Sequence, residues 1–421
     1  MEERSFLPDA LREQLQAIGE IDILVGVPSY NNARTIGHVV RAIQAGFARY
    51  YGGDRTLLIN SDGGSRDGTP DVVQGASIDD LHTILAAHPL RGVHKIVTPY
   101  HGIPGKGSAL RTVFGAAAEL GAKACAVVDS DLRSITPEWI ELLVSPVYRE
   151  GFDFVAPLYH RHKYDGTITN SIVYPITRAL YGARVRQPIG GDFGFSGRLA
   201  DNYLSHDVWN TDVARFGIDI WMTTTAITGR YKICQSFLGA KIHDVKDPGV
   251  DLSAMLTQVV SSVFSLMETH EEIWRHVHHT AEVPRFGFEY TVGLEPVNVN
   301  LERMLGIFQT GVRDLASVWE RALAPDTFAE VQKLGALALP GFRFPVELWV
   351  RLIYDFACAY HHKTINRDHL LKSLTPLYLG RTASFVLETA DADADAVEEI
   401  LEGLSLEYER LKPYLAERWS S

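Results

Sequence analysis

Ala126-Val127-Val128-Asp129-Ser130-Asp131 is the stretch on which the fold turns. Its apolar residues, two of them β-branched, read as the end of a buried strand, and two carboxylates one residue apart follow. Residues i and i+2 of an extended chain project to one side, so Asp129 and Asp131 can face a single ion together. Hard divalent cations take oxygen ligands, and Mg²⁺ is commonly held by one or two carboxylates plus substrate phosphates. The stretch reads equally as a site for a metal–diphosphate and as a polar turn after a core strand, and the rest of the chain decides.

Upstream, Ile21–Val27 is a buried-strand run stopped by Pro28-Ser29-Tyr30-Asn31-Asn32, after a short amphipathic helix over 7–19. A helical stretch to about Tyr51 leads to a second strand, Thr56–Asn60, and the loop Ser61-Asp62-Gly63-Gly64-Ser65-Arg66-Asp67-Gly68-Thr69. Asp62 can accept hydrogen bonds from a base or ribose, whereas Asp67 suits the turn itself. A third strand near 93–98 precedes Gly102-Ile103-Pro104-Gly105-Lys106-Gly107 and a helix through Leu120. Backbone N–H groups at a helix start bind phosphate, and Lys106 adds a point charge, although the spacing is not that of a Walker P-loop. The alternation of strand, loop and helix predicts an α/β domain, a mostly parallel sheet with helices on both faces. Ligands of such sheets sit outside the carboxyl ends of the strands, where these loops converge.

Downstream, Phe152–Tyr159 reads as a strand, 169–182 as a helix, 187–192 as a loop and 217–229 as a helix. Ile233–Ile242 reads as a strand ending in Lys241-Ile242-His243-Asp244, and the His243 imidazole can complete a site with Asp129 and Asp131. Helical periodicity dominates from Asp251 onward, which predicts domains at 1–250 and 251–421, the second for packing and self-association as a homo-oligomer, a dimer. Asp391–Ala396 reads as an acidic helix cap, and the histidines at 270, 276, 278, 279, 361 and 362 as surface or core residues.

Composition narrows the function classes. With 40 Lys and Arg against 52 Asp and Glu, the net charge of −12 argues against a nucleic-acid or anionic-membrane partner. An acidic chain that binds an anionic ligand needs a metal or a local cationic pocket. The 3 cysteines are widely spaced with no CxxC pair and read as core thiols of a reducing compartment. Met1-Glu2-Glu3-Arg4 lacks a signal core, and no apolar run reaches the ~18 residues a membrane span needs, so a cytoplasmic protein is expected.

Taken in order, the four loops resemble those of a GT-A nucleotide-sugar glycosyltransferase. Gln187-Pro188-Ile189-Gly190-Gly191, Phe216-Gly217-Ile218-Asp219 and Lys241-Ile242-His243 are similar to the retaining mannosylglycerate, glucosylglycerate and glucosyl-3-phosphoglycerate synthases, which make compatible solutes and their precursors. The resemblance covers about residues 20–250 and implies a Rossmann-like GT-A domain followed by a mainly helical one. It implies Pro28, Tyr30, Asn32 and Asp62 around the nucleoside, and Gly105, Lys106 and Ser130 around the diphosphate. It further implies a divalent metal, Mg²⁺ or Mn²⁺, held by Asp129, Asp131 and His243. Gly190 and Gly191 would let the sugar approach the backbone, Asp192 would bind its hydroxyls, and Arg161 and Thr169 would bind an acceptor carboxylate. Asp192, Asp219 and Lys106 are the candidate catalytic groups.

The implied reaction moves glucose or mannose from UDP-glucose, GDP-glucose or GDP-mannose to D-glycerate, with 3-phosphoglycerate as the alternative acceptor. Asn32 stands where many relatives carry Glu, and the loop His160-Arg161-His162-Lys163-Tyr164 also departs from them. Competing readings are an inverting transferase with Asp192 as base and a lipid or polysaccharide acceptor, a nucleotidyltransferase, and a non-catalytic sugar-nucleotide sensor.

Overall fold

The computed structural model describes residues 6–76, 93–100, 102–243, 252–290, 293–294 and 297–421. The readings of residues 1–4 and Asp244 lie outside them. Two compact units emerge: Met1–His160, Val185–Asp244 and Val283–Leu294 form one, and Arg161–Arg184, Val245–Glu282 and Glu295–Ser421 the other. The two units interleave along the chain, where the sequence reading places one boundary near 250. A mid-chain segment joins the helical unit, and a later one returns to the sheet.

The first unit is built on strands β1 (Ile23–Ser29), β2 (Thr56–Asp62), β3 (His94–Pro99), β4 (Ala124–Val127), β5 (Phe154–His160), β6 (Phe193–Ser196), β7 (Ile233–Ala240) and β8 (Arg285–Phe286). They form one sheet in the order β3-β2-β1-β4-β6-β5-β7-β8. β1 pairs in parallel with β2 from Ile23↔Thr56 to Ser29↔Asp62, and with β4 from Ile23↔Ala124 to Gly26↔Val127. This register puts the ends of β1, β2 and β4 side by side. The mostly parallel α/β sheet expected from the alternation is present, with β6 inserted antiparallel between β4 and β5.

β1 is buried along its whole length, as befits a strand covered on both faces. Ile23, Val25 and Val27 share one core with Val39, Val40, Ile43 and Phe47 of helix Ile36–Tyr50 and with Trp139, Ile140 and Leu143 of helix Pro137–Tyr148. Their i, i+2 spacing places them on one face of the strand. A well-packed apolar floor thus lies beneath the polar strand ends.

In the helical unit, Trp274, Trp319, Trp349 and Trp419 are fully buried, and Trp274 meets Trp419 edge to face at 5.6 Å. Residues 161–184 belong here for an electrostatic reason. Arg178, wholly buried on helix Tyr174–Tyr181, donates to both carboxylate oxygens of Glu402 at 2.5 and 2.8 Å and to Glu409 at 2.6 Å. Both acceptors lie on helix Ala394–Arg410, so removing the two glutamates would strand the buried Arg178 charge. The expected acidic cap is there too: Asp393 accepts the Ala396 N–H at 2.9 Å. Cys125, Cys234 and Cys358 are buried free thiols, and among the described residues no helix is long and apolar enough to cross a membrane.

Candidate active site

The strand ends of the first unit carry the site. Pro28 is buried within β1, whereas Tyr30, just past its end, is 62% exposed. The Asn32 side-chain oxygen accepts the Tyr30 N–H at 3.0 Å and the Ser130 hydroxyl at 2.9 Å, while Thr35 donates to the Ser130 carbonyl at 2.8 Å. The loop after β1 thereby grips the loop after β4. Ser130 is used in that grip.

Asp62, expected beside the nucleoside, is turned toward its own loop. Its Oδ1 accepts the hydroxyls of Ser29 (2.8 Å) and Ser65 (2.7 Å), and its Oδ2 accepts the N–H groups of Gly64 (2.9 Å) and Ser65 (2.8 Å). A carboxylate has about four acceptor positions, and here all are filled from its own turn and β1. Asp62 shapes the loop rather than offering itself to a base or ribose. Asp67 holds a turn, as expected, through Thr69 and Ala33.

The glycine-rich loop is also corrected. The Gly105 N–H donates to the Tyr100 hydroxyl at 2.9 Å, and the Gly107 N–H to the Arg215 carbonyl at 3.2 Å. A Cβ on Gly107 would stand 1.9 Å from the Val213 oxygen, so these glycines admit the chain's own 212–215 turn. What reaches the site from this loop is Lys106, the first residue of helix Lys106–Glu119.

Asp129 is the hub. Its Oδ1 accepts from Lys106 Nζ at 2.8 Å and its Oδ2 from Lys241 Nζ at 2.7 Å. Burial opposes its charge, but the two ammoniums prevail and hold the carboxyl well below the ordinary range. Lys241 was not singled out from the sequence; the signal was a cation at the end of a buried strand, two residues before His243. It also donates to the Gly190 carbonyl and to Asp192 Oδ2, both at 2.8 Å.

Asp192 is wholly buried and takes the Asp129 N–H at 2.7 Å, Lys241 at 2.8 Å and a short hydrogen bond from the Tyr159 hydroxyl. Enclosed by these donors, Asp192 holds the Asp129 backbone. The two preceding glycines change meaning with it. A Cβ on Gly190 would fall 2.2 Å from Pro157 Cγ. On Gly191, at φ +91°, it would fall 2.2 Å from Asp129 Oδ2, so protein atoms rather than a sugar fill that space.

Asp131 and His243 are brought together by a bridge between Leu132 and His243, supported by the Arg133 N–H donating to the Ile242 carbonyl at 2.8 Å. Burial, and then the Asp129 charge, raise the Asp131 carboxyl. Asp219, in the first turn of helix Ile218–Thr228, lies 3.1 Å from Lys106 Nζ, and burial raises its carboxyl despite that cation. Among the described residues, no three His, Cys, Asp or Glu side chains stand together as a ready metal cage. Both oxygens of Asp129 face lysines. Two carboxylates and an imidazole do suit a hard divalent ion that completes its shell with phosphate oxygens.

Arg161 and Thr169, the residues expected to hold the acceptor, lie in the helical unit. Arg161 pairs with Asp165 at 3.5 Å, and Thr169, nearly buried, opens a π-helical turn over Thr169–Val173. Lys163, a second expected cation of that loop, donates to the carbonyls of Thr389, Ala390 and Ala392 at 2.5, 3.1 and 3.0 Å. It caps a helix end instead.

With this geometry in place, residues 24–200 match the family described as Glycosyl transferase family 2. Residues 24–200 are a glycosyltransferase-like segment. The matched segment of this transferase includes Tyr30, Lys106, Asp129, Asp131 and Asp192, and ends before Asp219, Lys241 and His243. No curated protein matches the sequence. Among solved structures, the chain is similar to glucosyl-3-phosphoglycerate synthase from Mycobacterium tuberculosis with Mn²⁺, UDP and glucosyl-3-phosphoglycerate. That likeness has 24% identity and a TM-score of 0.43, over 62% of this chain and 85% of the other. The same enzyme with Mn²⁺, UDP-glucose and phosphoglyceric acid gives 23% and 0.44, over 62% and 84%. With Mg²⁺ and UDP it gives 21% and 0.43, over 61% and 82%.

Proposed function

We propose that the transferase moves a hexose from a nucleotide-diphosphate sugar to a small hydroxy acid, D-glycerate, with retention at the anomeric carbon. The observation that carries this reading is the gathering of Lys106, Asp129, Asp131, Asp219 and His243 in the one unit, beside the exposed Tyr30. Tyr30 offers a ring face on which the nucleoside base stacks. Asp131 and His243, with Asp129, would hold Mg²⁺ or Mn²⁺, which stabilises the charge that builds on the leaving diphosphate. Lys106 adds its ammonium to the same oxygens. Asp219, beside Lys106, hydrogen-bonds the sugar.

Retention follows from front-face attack: the C1–O bond to phosphate breaks, the C1–O bond to the acceptor forms, and the acceptor proton passes to the departing phosphate oxygen. The enclosure of Asp192 supports this over the inverting alternative, which relies on that carboxylate as base. Lys163, committed to helix carbonyls, supports glycerate over 3-phosphoglycerate, since a phosphate would want a second cation. Arg161 and Thr169 remain the proposed acceptor ligands on the strength of the resemblance.

The test is nucleoside diphosphate release from UDP-glucose, GDP-glucose and GDP-mannose, each with D-glycerate or 3-phosphoglycerate, in Mg²⁺, Mn²⁺ or EDTA. Metal-dependent turnover with D-glycerate and an α-linked product upholds the reading, and turnover with 3-phosphoglycerate alone overturns the choice of acceptor. Silence with donor binding intact, or an inverted product, overturns the reading.

A further inference from the structure

We propose that Asp129 is shared between one fixed and one exchangeable lysine, and that Lys106 is a resident cation which the divalent metal and the donor diphosphate displace together. This rests on the metal reading above and deepens it.

The two lysines differ in how they are held. Lys241 directs its ammonium at three acceptors within 2.8 Å, Asp129 Oδ2, the Gly190 carbonyl and Asp192 Oδ2, and its side chain is 4% exposed. Its three N–H groups are consumed by these partners. Those partners close a circuit, because Asp192 also takes the Asp129 N–H at 2.7 Å. Moving Lys241 would leave the buried Asp192 without its counter-charge, at a cost far above that of a surface pair. It is a positioning residue, fixed in the frame of the sheet.

Lys106 has one close contact, Asp129 Oδ1 at 2.8 Å, and longer ones to the Gly191 carbonyl at 3.1 Å and to Asp219 Oδ1 and Oδ2 at 3.1 and 3.3 Å. Its side chain is 15% exposed and stands at the start of a helix, on a flexible four-carbon stem. It is the cation with somewhere to go. As long as it covers Oδ1, Asp129 offers a metal no oxygen free of a lysine. An incoming diphosphate supplies Lys106 with a new anionic partner, and the released Oδ1 turns to the metal. Each of the two ligands thereby raises the affinity of the other by the same factor, as linkage requires.

The test measures Mn²⁺ binding by the signal of free Mn²⁺ in titrations of the full chain, with and without saturating UDP or GDP. Wild type is expected to bind Mn²⁺ weakly alone and tightly with nucleotide. K106M is expected to bind Mn²⁺ alone about tenfold more tightly than wild type, a typical coupling, and to gain less from nucleotide. K106R, which keeps the pairing, is expected to restore wild-type behaviour. K241M is expected not to tighten Mn²⁺ binding, with folding checked by thermal melting. Equal Mn²⁺ affinities for wild type and K106M overturn the exchange and leave the metal assignment standing. Failure of both to bind Mn²⁺ even with nucleotide overturns the metal assignment, and the exchange with it.

Discussion

Asp62 and Asp129 occupy equivalent places, one at the carboxyl end of β2 and the other just beyond that of its near neighbour β4, yet their surroundings are opposite. Asp62 is satisfied by four neutral donors from its own turn and the end of β1. Asp129 takes two ammoniums from Lys106 and Lys241, distant in the chain, and holds its neighbours in charge balance. A carboxylate saturated by nearby neutral groups fixes a shape. One saturated by cations from elsewhere keeps chemistry available, because an ionic partner can be exchanged for another ion.

That contrast is open to attack, most forcefully at the β4 loop. Asp131→Ala is expected to lower turnover by about 10³-fold with the fold intact, as measured by kcat and a melting curve, since it removes a proposed ligand of the metal that would stabilise the leaving diphosphate. Retained full activity would sink the metal assignment. Asp62→Ala should do the reverse, costing about 3 kcal/mol of stability in denaturant titrations through four lost hydrogen bonds to a charged acceptor. Its kcat should change little, and a collapse of kcat without loss of stability would put Asp62 back among the functional groups. Tyr30→Ala sharpens the middle ground: KM for the donor rises about tenfold, the worth of a stacking contact, at unchanged stability.

The smallest effect concerns Asp22, just before β1, whose pKa the Arg55 hydrogen bonds lower most, against burial and with help from Lys123. Its folded pKa lies below its unfolded one, so the stabilisation is present above about pH 4 and fades as pH falls through the folded value. The gap in unfolding midpoint between wild type and Asp22→Asn should therefore be open at pH 7 and shrink toward pH 2. A gap independent of pH would mean that packing, not charge, is at stake there.

Much of the frame was legible in the sequence. The runs at β1, β2 and β4 announce themselves by continuous apolar residues ended by polar turns, and the loop order carried the family resemblance. Phe193–Ser196 did not, because four residues are too few to show a period and their antiparallel pairing depends on strands far away. Residues 161–184 read as part of the sheet domain because nothing local shows that Arg178 will find Glu402 and Glu409. Asp129 and Lys106 were legible as a functional pair of motifs. Lys241 and the enclosure of Asp192 were not, since whether a polar side chain meets solvent or another buried charge is decided by tertiary packing. The glycines at 190 and 191 misled for the same reason: the sequence shows that a close approach is needed, not what makes it.

The Asp129 circuit also has a history within each molecule. Its partners lie 23 residues before it, at Lys106, and 63 and 112 residues after it, at Asp192 and Lys241. During synthesis from the N-terminus, Lys106 is therefore the first counter-ion available. At about 5–20 residues per second, Lys241 follows Asp129 by on the order of ten seconds. For that interval Lys106 is the one of the two lysine partners already synthesised, and the circuit can close only once the strand that carries Lys241 is made.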